Sequence, residues 1–200
     1  MRFSRRSPVV LIGLVSIGCA SGRPQVEPIP GPADAPAPVT TQSPVVRFMQ
    51  GMIGHHAQAL DMVKLAASRA SHPGIRLLAE RIDVSQKDEI RLMRRWLQSR
   101  AHPVPDDDAH MHAAMGHGDL MPGMLTQDQL DQLAAARGGA FDRLFLQHMI
   151  RHHEGALQMV AQLLAANRNL DAETFRFVSE VDVDQRAEIQ RMQTLLKSIS

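Results

Sequence analysis

The sequence predicts an all-α protein, a four-helix bundle built from two repeated helical hairpins. Apolar residues recur at helical spacing from residue 45 onward, and no segment alternates as a strand would. The segment 48–63 (FMQGMIGHHAQALDMV) returns as 145–160 (FLQHMIRHHEGALQMV), with ten of sixteen positions identical. A second match aligns 86–93 with 185–192. Each half is therefore one unit used twice, and two hairpins bury their apolar stripes most simply as a four-helix bundle.

Each unit is predicted to be two helices joined by a short turn. The sequence His-Pro-Gly at 72–74 ends the first helix, and Asn-Arg-Asn at 167–169 separates the last two. Ahead of the second unit, Thr126 and Gln129 fit a capping box for a short helix ending near residues 138–139. We predict long helices over residues 45–71, 75–100, 140–166 and 172–198. They form one domain, 45–200, divided into repeat 1 (45–100), a loop (101–125) and repeat 2 (126–200).

The first nineteen residues have the composition of an export signal. Three arginines among the first six residues precede an apolar stretch, 9–17, that is too short to span a bilayer comfortably. Cys19 is the single cysteine of the chain, and it stands where a bacterial lipoprotein signal places the cysteine that is lipidated. We therefore predict a protein on the periplasmic side of the cell envelope, anchored in the membrane through Cys19. The alternative is an ordinary secretory signal cleaved near Ala20.

Residues 20–44 are rich in proline and predict a disordered tether between the anchor and the bundle. The composition excludes other classes of partner. No Tyr, one Trp and six Phe offer little surface for stacking nucleic-acid bases. The formal net charge of +1 becomes −2 once the three arginines of 1–19 are left out, so nothing attracts a polyanion. One cysteine allows no disulfide within the chain.

Two adjacent histidines occupy the middle of the first helix. On a helical wheel of 100° per residue, His56 falls within about 40° of Met49, at the centre of the apolar face. His55 falls at the flank of that face, on the same side as Met52 and Met62. His56 is thus predicted to be a buried histidine, and His55 to lie at the edge of the core beside two thioethers.

The second unit repeats this arrangement. His153 is predicted to be central, and His152 to lie beside Met149 and Met159. The second unit also adds His148 one turn before His152, so these two can chelate one metal ion as an i, i+4 pair.

The second helix of each unit offers partners to the core histidines. Glu89 and Met93 share one helical face in the first unit, and Glu188 and Met192 share it in the second. A carboxylate beside a buried histidine can fix its tautomer, as carboxylates behind metal-bound histidines do. It can equally form a structural hydrogen bond, because a buried imidazole requires a partner. The residues leave both alternatives open.

Adjacent histidines with flanking methionines in both units favour metal binding, although a single His or Met on an apolar stripe ordinarily belongs to the core. Thioether sulfur is a good ligand for Cu(I), and imidazole accepts Cu(I), Cu(II) or Zn. Outside the cytoplasm thiols oxidise, so Met and His can hold copper there without cysteine. The predicted copper ligands are Met52, His55, His56, Met62, His148, Met149, His152, His153 and Met159.

The loop between the repeats is a second candidate copper site. Its prolines and glycines argue against regular structure. It is unusually rich in histidine and methionine. The alternative is a mobile insertion enriched by chance. Its candidate ligands are His110, Met111, His112, Met115, His117, Met121 and Met124.

The pattern FxxxMIxHH at 48–56, followed by QxxEIxxM at 86–93 and by a second copy of each, resembles the family labelled domain of unknown function 305. The resemblance extends over residues 45–198. It implies a ferritin-like helical bundle, export to the envelope and, for some members, copper binding or copper tolerance. The chain departs from the family pattern at Gly54, where proline is usual.

These observations predict an envelope copper-binding protein, for sequestration or chaperoning, and not an enzyme, since no nucleophile–base arrangement is apparent. A ferritin-like di-iron oxidase is an alternative, but it needs about four carboxylates and Glu-x-x-His pairs, and no Glu here has His three residues later. A third hypothesis is a metal-free structural or interaction bundle. Whether hairpins also pair between chains stays open.

Overall fold

The computed structural model describes residues 42–106 and 120–199. Within these ranges the chain forms five helices and no strand, which confirms the all-α prediction: α1 (Pro44–Arg69), α2 (Pro73–Ser99), α3 (Gln127–Ala135), α4 (Gly138–Ala166) and α5 (Ala172–Ser198). The four long helices begin and end within two residues of their predicted bounds. Several predictions lie outside the described residues, namely the leader with Cys19, nearly all of the tether, and His110, Met111, His112, Met115 and His117 of the loop.

The turn between α1 and α2 is held by a residue of the other hairpin. His72, predicted only to break a helix, is the N-cap of α2, and its side chain accepts a hydrogen bond from the Gly74 N–H at 3.1 Å. Asp142, buried on α4, accepts hydrogen bonds from the backbone N–H groups of Ser71 and His72 and from the Ser71 hydroxyl. Asp142 therefore anchors the first hairpin to the second.

The capping box predicted ahead of the second repeat is present. The Thr126 side chain accepts from the Gln129 N–H, and the Gln129 side chain accepts from the Thr126 N–H. At α5, the Asp171 side chain accepts from the Thr174 N–H in the same way. These caps are local, which is why the sequence is sufficient to locate the helix starts.

The four long helices pack as two hairpins joined through their first helices. Contacts are most extensive between α1 and α2 and between α4 and α5, then between α1 and α4, while α2 and α5 meet over a short stretch. As a result α1 and α4 are each covered on two sides, one by their own hairpin and one by the other. No helix in the described ranges is long and apolar enough to cross a membrane.

Candidate metal centre

His55 and His152, the equivalent residues of the two hairpins, face each other where α1 packs on α4. Their ring centroids are 3.8 Å apart with the planes inclined by 41°, and both residues are 0% exposed. The prediction that His55 lies at the flank of the core is wrong, because α4 covers that side of α1. A contact between equivalent residues indicates an approximate two-fold relation between the halves that passes through this pair.

Three of the four ring nitrogens in this pair have no hydrogen-bond partner. His55 Nε2 lies 2.9 Å from the carbonyl oxygen of Pro122, and because a carbonyl only accepts, Nε2 carries the proton and donates it. His55 Nδ1 and both ring nitrogens of His152 are buried without a partner. An unpaired buried polar atom costs about 1–3 kcal/mol. A lone pair on a neutral imidazole is also the group with which histidine binds a metal.

Both members of the pair are held in the neutral form. Burial, reinforced by His56, lowers the pKa of His55 to about 3, despite the opposing hydrogen bond to Pro122. Burial and the neighbouring imidazoles of His55, His153 and His56 lower the pKa of His152 well below its usual value, with a weak opposing effect from the His55 backbone. A metal ion would therefore meet free lone pairs at neutral pH and would displace no proton from these rings.

The neighbouring histidines are placed differently, because each contacts a carboxylate of its own hairpin. His56 Nε2 lies 2.5 Å from Glu89 Oε2, and His153 Nε2 lies 2.6 Å from Glu188 Oε2. The carboxylate accepts from Nε2–H, and Nδ1 is buried without a partner in both residues. The ring centroids of adjacent histidines are 6.3 Å apart in each hairpin. Four imidazoles thus cluster at the middle of the bundle.

Glu188 has a further partner across the bundle. The Ser85 hydroxyl donates to Glu188 Oε1 at 3.1 Å. Burial raises the pKa of Glu188, but the hydrogen bond and charge of His153, together with Ser85, outweigh it and leave that pKa below its usual value. Glu188 therefore stays ionised and can orient the His153 ring.

The helix methionines are core residues, whatever other role they have. Met159 is 9% exposed. The other helix methionines predicted as ligands or as partners of the core histidines are 0% exposed, namely Met52, Met62, Met93, Met149 and Met192. They divide between the two apolar clusters of the bundle, one at each end of the histidine layer. Both of the roles considered for them, core packing and thioether ligation, are compatible with this placement.

The end of the inter-repeat loop lies across the histidine pair. The crossing segment, residues 121–125, contributes the Pro122 carbonyl that accepts from His55. The buried amide of Gln58 on α1 holds the same segment, donating to the Leu125 carbonyl at 2.9 Å and accepting from the Leu125 N–H at 2.7 Å. These contacts join residues 67 positions apart in the chain and were not predicted.

Two glycines allow the crossing segment to lie against α4. A Cβ on Gly155 would stand 1.9 Å from the Pro122 carbonyl oxygen, so the position admits no side chain. Gly123 has a φ of +78°, in the left-handed region that favours glycine, and a Cβ there would stand 2.4 Å from the Arg151 carbonyl oxygen. The segment is thus in backbone contact with α4 beside His152.

The crossing segment explains where the two repeats differ. Gln58 and Gly155 are equivalent positions, yet one holds the segment with hydrogen bonds and the other makes room for it. A single segment lying across an approximate two-fold axis meets the two helices differently, so equivalent residues must diverge there. The departures from the repeat, Gln58/Gly155 and Gly51/His148, were the signal in the sequence that could have located this segment.

The remaining predicted ligands among the described residues are His148, Met121 and Met124. His148 is half-buried, its Nε2 is buried without a partner, and burial followed by the charge of Arg151 lowers its pKa. Met121 borders a groove with Met159, whereas Met124 borders another groove beside Arg151. The two described methionines of the loop therefore border different grooves.

The described residues do not assemble a di-iron centre. Across 42–106 and 120–199, no three or more His, Cys, Asp or Glu side chains come together in a group that could hold a metal ion. The buried carboxylates in these ranges are Glu89, Glu188 and Asp142, and Asp142 is bound to the α1–α2 turn. The His55–His152 imidazole pair is a different set of side chains from the carboxylate-rich set that a di-iron centre requires.

The sequence profile of the family described as domain of unknown function (DUF305) matches residues 46–196. The chain belongs to the DUF305 family. Among solved structures, a DUF305 fragment from Deinococcus radiodurans is 32% identical with a TM-score of 0.66, covering 78% of this chain and 96% of that one. A DUF305 protein from Streptomyces coelicolor, described as secreted, is 28% identical with a TM-score of 0.66, covering 78% and 94%.

CopM is a further structural relative of this DUF305 chain. Its Cu(II)-bound form is 31% identical with a TM-score of 0.63, covering 78% of this chain and 97% of that one. Its Cu(I)-bound form is 30% identical with a TM-score of 0.60, covering 77% and 96%. CopM has also been solved with silver and in the apo form. No functionally curated protein matches the sequence.

Proposed function

We propose that this DUF305 protein binds copper at the His55–His152 pair and sequesters it or passes it on as a chaperone. One observation carries the proposal: two buried, neutral imidazoles face each other at 3.8 Å with three ring nitrogens unpaired. A structural role alone would leave the cost of those unpaired atoms without compensation. A metal ion bound by the pair would use one lone pair from each ring, that of His55 Nδ1 and that of one His152 nitrogen.

Copper is favoured over other metals by the donors around the pair. Each histidine has a methionine one turn before it, Met52 or Met149, and thioethers are suited to Cu(I). CopM, which shares the fold at 30–31% identity, has been solved with Cu(I), Cu(II) and silver. The His56–Glu89 and His153–Glu188 pairs would stiffen the site from behind.

The envelope is the proposed location. The leader 1–19 has the composition of an export signal, and the Streptomyces coelicolor relative is described as secreted. We propose lipidation at Cys19 and a tethered bundle on the periplasmic side, with the 101–125 loop as an additional capture site for copper. Metabolic labelling with a fatty acid, with and without Cys19→Ser, tests the anchor.

A competitive titration tests the copper site. The purified protein is titrated with Cu(I), and separately with Cu(II), against chelators of known affinity. We expect stoichiometric binding that weakens at least about tenfold in His55→Gln and in His152→Gln, because each change removes one ring from the pair. The matched control is His102→Gln, which changes a histidine stacked on Trp96 outside the pair.

The metal-free structural hypothesis predicts the opposite result. Copper affinity would then be the same in both variants and in the control, with circular dichroism showing all three folded. Affinity that survives these changes and is lost on deletion of residues 107–119 would move the site to the loop.

A further inference from the structure

A groove on the surface brings together two methionines that the sequence assigned to different sites. The groove has a volume of about 320 Å³ and is lined by residues that include Phe48, Gly51, Met121 and Met159. Met121 Sδ lies 3.1 Å, and Met159 Cε 3.5 Å, from the point where a Cβ on Gly51 would stand. The two thioether side chains therefore converge over a position that has no side chain of its own.

This groove adjoins the histidine pair. Gly51 is one turn before His55 on α1, and Met121 directly precedes Pro122, whose carbonyl accepts from His55 Nε2. Met159 lies two turns after His152 on α4. The groove is therefore formed by the two helices that carry the buried imidazoles and by the first residue of the crossing segment.

Access distinguishes these two methionines from the predicted thioether ligands nearer the pair. Met52, Met62 and Met149 are 0% exposed, whereas Met159 is 9% exposed and Met121 is half-buried. The equivalent place in the other repeat lacks this arrangement, since His148 replaces Gly51 and Met62 replaces Met159. The groove therefore exists on one side of the two-fold relation, where the single crossing segment supplies Met121.

The side chains that line the groove offer soft donors and few hard ones. Its residues include two thioethers, one amide (Gln162) and one cation (Arg47), with no carboxylate and no imidazole. Arg47 donates to the Gln42 carbonyl. Such a lining has one side-chain oxygen ligand for Mg²⁺ or Ca²⁺, the Gln162 amide, and no carboxylate or imidazole for Zn²⁺, while thioether sulfur binds Cu(I) and its analogue Ag(I).

We propose that Met121 and Met159 form a surface thioether site that holds Cu(I) beside the His55–His152 pair before the ion reaches the imidazoles. The proposal rests on the copper-binding function proposed above. It adds a second, weaker site with a different donor set, and it assigns Met121 to the bundle instead of to the 101–125 loop.

Residue-specific NMR tests the site. Full-length protein carrying Cys19→Ser, so that no thiol competes, is labelled with ¹³C at the methionine ε-methyl groups and titrated with Ag(I). We expect the Met121 and Met159 methyl signals to shift, and to shift equally when His55→Gln and His152→Gln are combined. In that double variant, Met121→Leu or Met159→Leu should weaken Ag(I) binding at this site at least about tenfold. The matched control is Met124→Leu, a change in the same segment that faces another groove.

Each outcome decides the proposal. Stationary Met121 and Met159 signals in a protein that binds Ag(I) through its histidines would overturn the groove site and leave the copper function standing. The remaining groove methionine signal could also shift with Ag(I) as strongly in Met121→Leu or in Met159→Leu as in the parent. That result would overturn the groove site too. Absence of Ag(I) and Cu(I) binding in the parent protein would overturn both. Leucine matches methionine in volume, so the variants are expected to fold.

Discussion

The four histidines at the centre of this bundle form two pairs, His56 with His153 and His55 with His152, which differ in their hydrogen-bond partners. His56 and His153 each contact a carboxylate within their own hairpin. His55 and His152 contact each other, and three of their four ring nitrogens have no hydrogen-bond partner. All four residues are equally buried. Burial alone therefore does not distinguish a structural histidine from a candidate ligand, whereas the partner of each nitrogen does.

The difference arises from the two buried sides of α1 and α4. The side that faces the second helix of the same hairpin meets glutamates, and the side that faces the other hairpin meets its own equivalent. Equivalent residues across a two-fold relation have the same chemistry, so a histidine there meets a histidine and cannot find a carboxylate. The two-fold relation therefore brings two imidazoles, and no carboxylate, into contact at this place.

The largest expected effect separates the two pairs by stability. His56→Leu leaves the Glu89 carboxylate without its partner, and we expect the free energy of unfolding in urea to fall by about 3–5 kcal/mol. His152→Leu removes two nitrogens that have no partner, so the free energy of unfolding should stay the same or rise. Adding Glu89→Leu to His56→Leu should recover much of the loss. Equal losses in the two single variants would contradict the distinction between the pairs.

A pH titration of the metal-free protein tests the neutral pair. The pKa of His55 in the folded protein, about 3, is below that of an ordinary histidine. Below about pH 6.5, His55 is therefore protonated in the unfolded chain and stays neutral in the folded protein. Stability should therefore fall with falling pH, by about 2 kcal/mol for His55 between pH 7 and pH 5. His152 acts in the same direction.

The variant His55→Leu, His152→Leu supplies the control for that titration. Its free energy of unfolding should depend much less on pH between 7 and 5. The lowered pKa of Glu188 stabilises the folded protein at pH values above the ordinary pKa of a glutamate, and this stabilisation is lost only at lower pH. Glu188 therefore has little effect on the change in stability between pH 7 and pH 5. Parallel curves for the two proteins would show that the pair is not held neutral.

The crossing segment can be displaced without touching a histidine. Gly155→Ala places a methyl group against the Pro122 carbonyl, and we expect a loss of about 1–3 kcal/mol together with faster exchange of the Leu125 amide. Gly139→Ala is the matched control, because a Cβ there meets nothing within 4 Å. Protection of Leu125 unchanged by Gly155→Ala would mean that the segment is not held by α4.

The smallest effect concerns the acidic counterpart of Ser85. Asp184 is the equivalent residue in the second repeat, and burial, with the charges of Glu89, Glu188 and Glu180, raises its pKa. Its ionisation therefore costs stability as the pH rises through that pKa. Because the side chain is largely solvated, Asp184→Ser should raise the free energy of unfolding at pH 7 by only about 0.5 kcal/mol. The gain should vanish once the carboxyl is protonated, and a gain that persists at low pH would have another cause.

The sequence by itself determined the helices, the repeat and the residue types of the site. Apolar periodicity, the capping box at Thr126 and the breaks at 72–74 and 167–169 act over a few residues, so no tertiary information was needed to place them. The adjacent histidines were visible for the same reason. Their assignment as copper ligands remains a prediction.

Only the tertiary structure decided which nitrogens are paired and which methionines converge. A wheel drawn for one helix assumes one buried side, so His55 was placed at the flank although α4 covers it completely. Met121 was grouped with the loop, but the backbone contact of Gly123 and Gly155 carries it to Met159. Both outcomes depend on contacts between residues dozens of positions apart, and the local pattern of a chain contains no record of which distant surface will cover it.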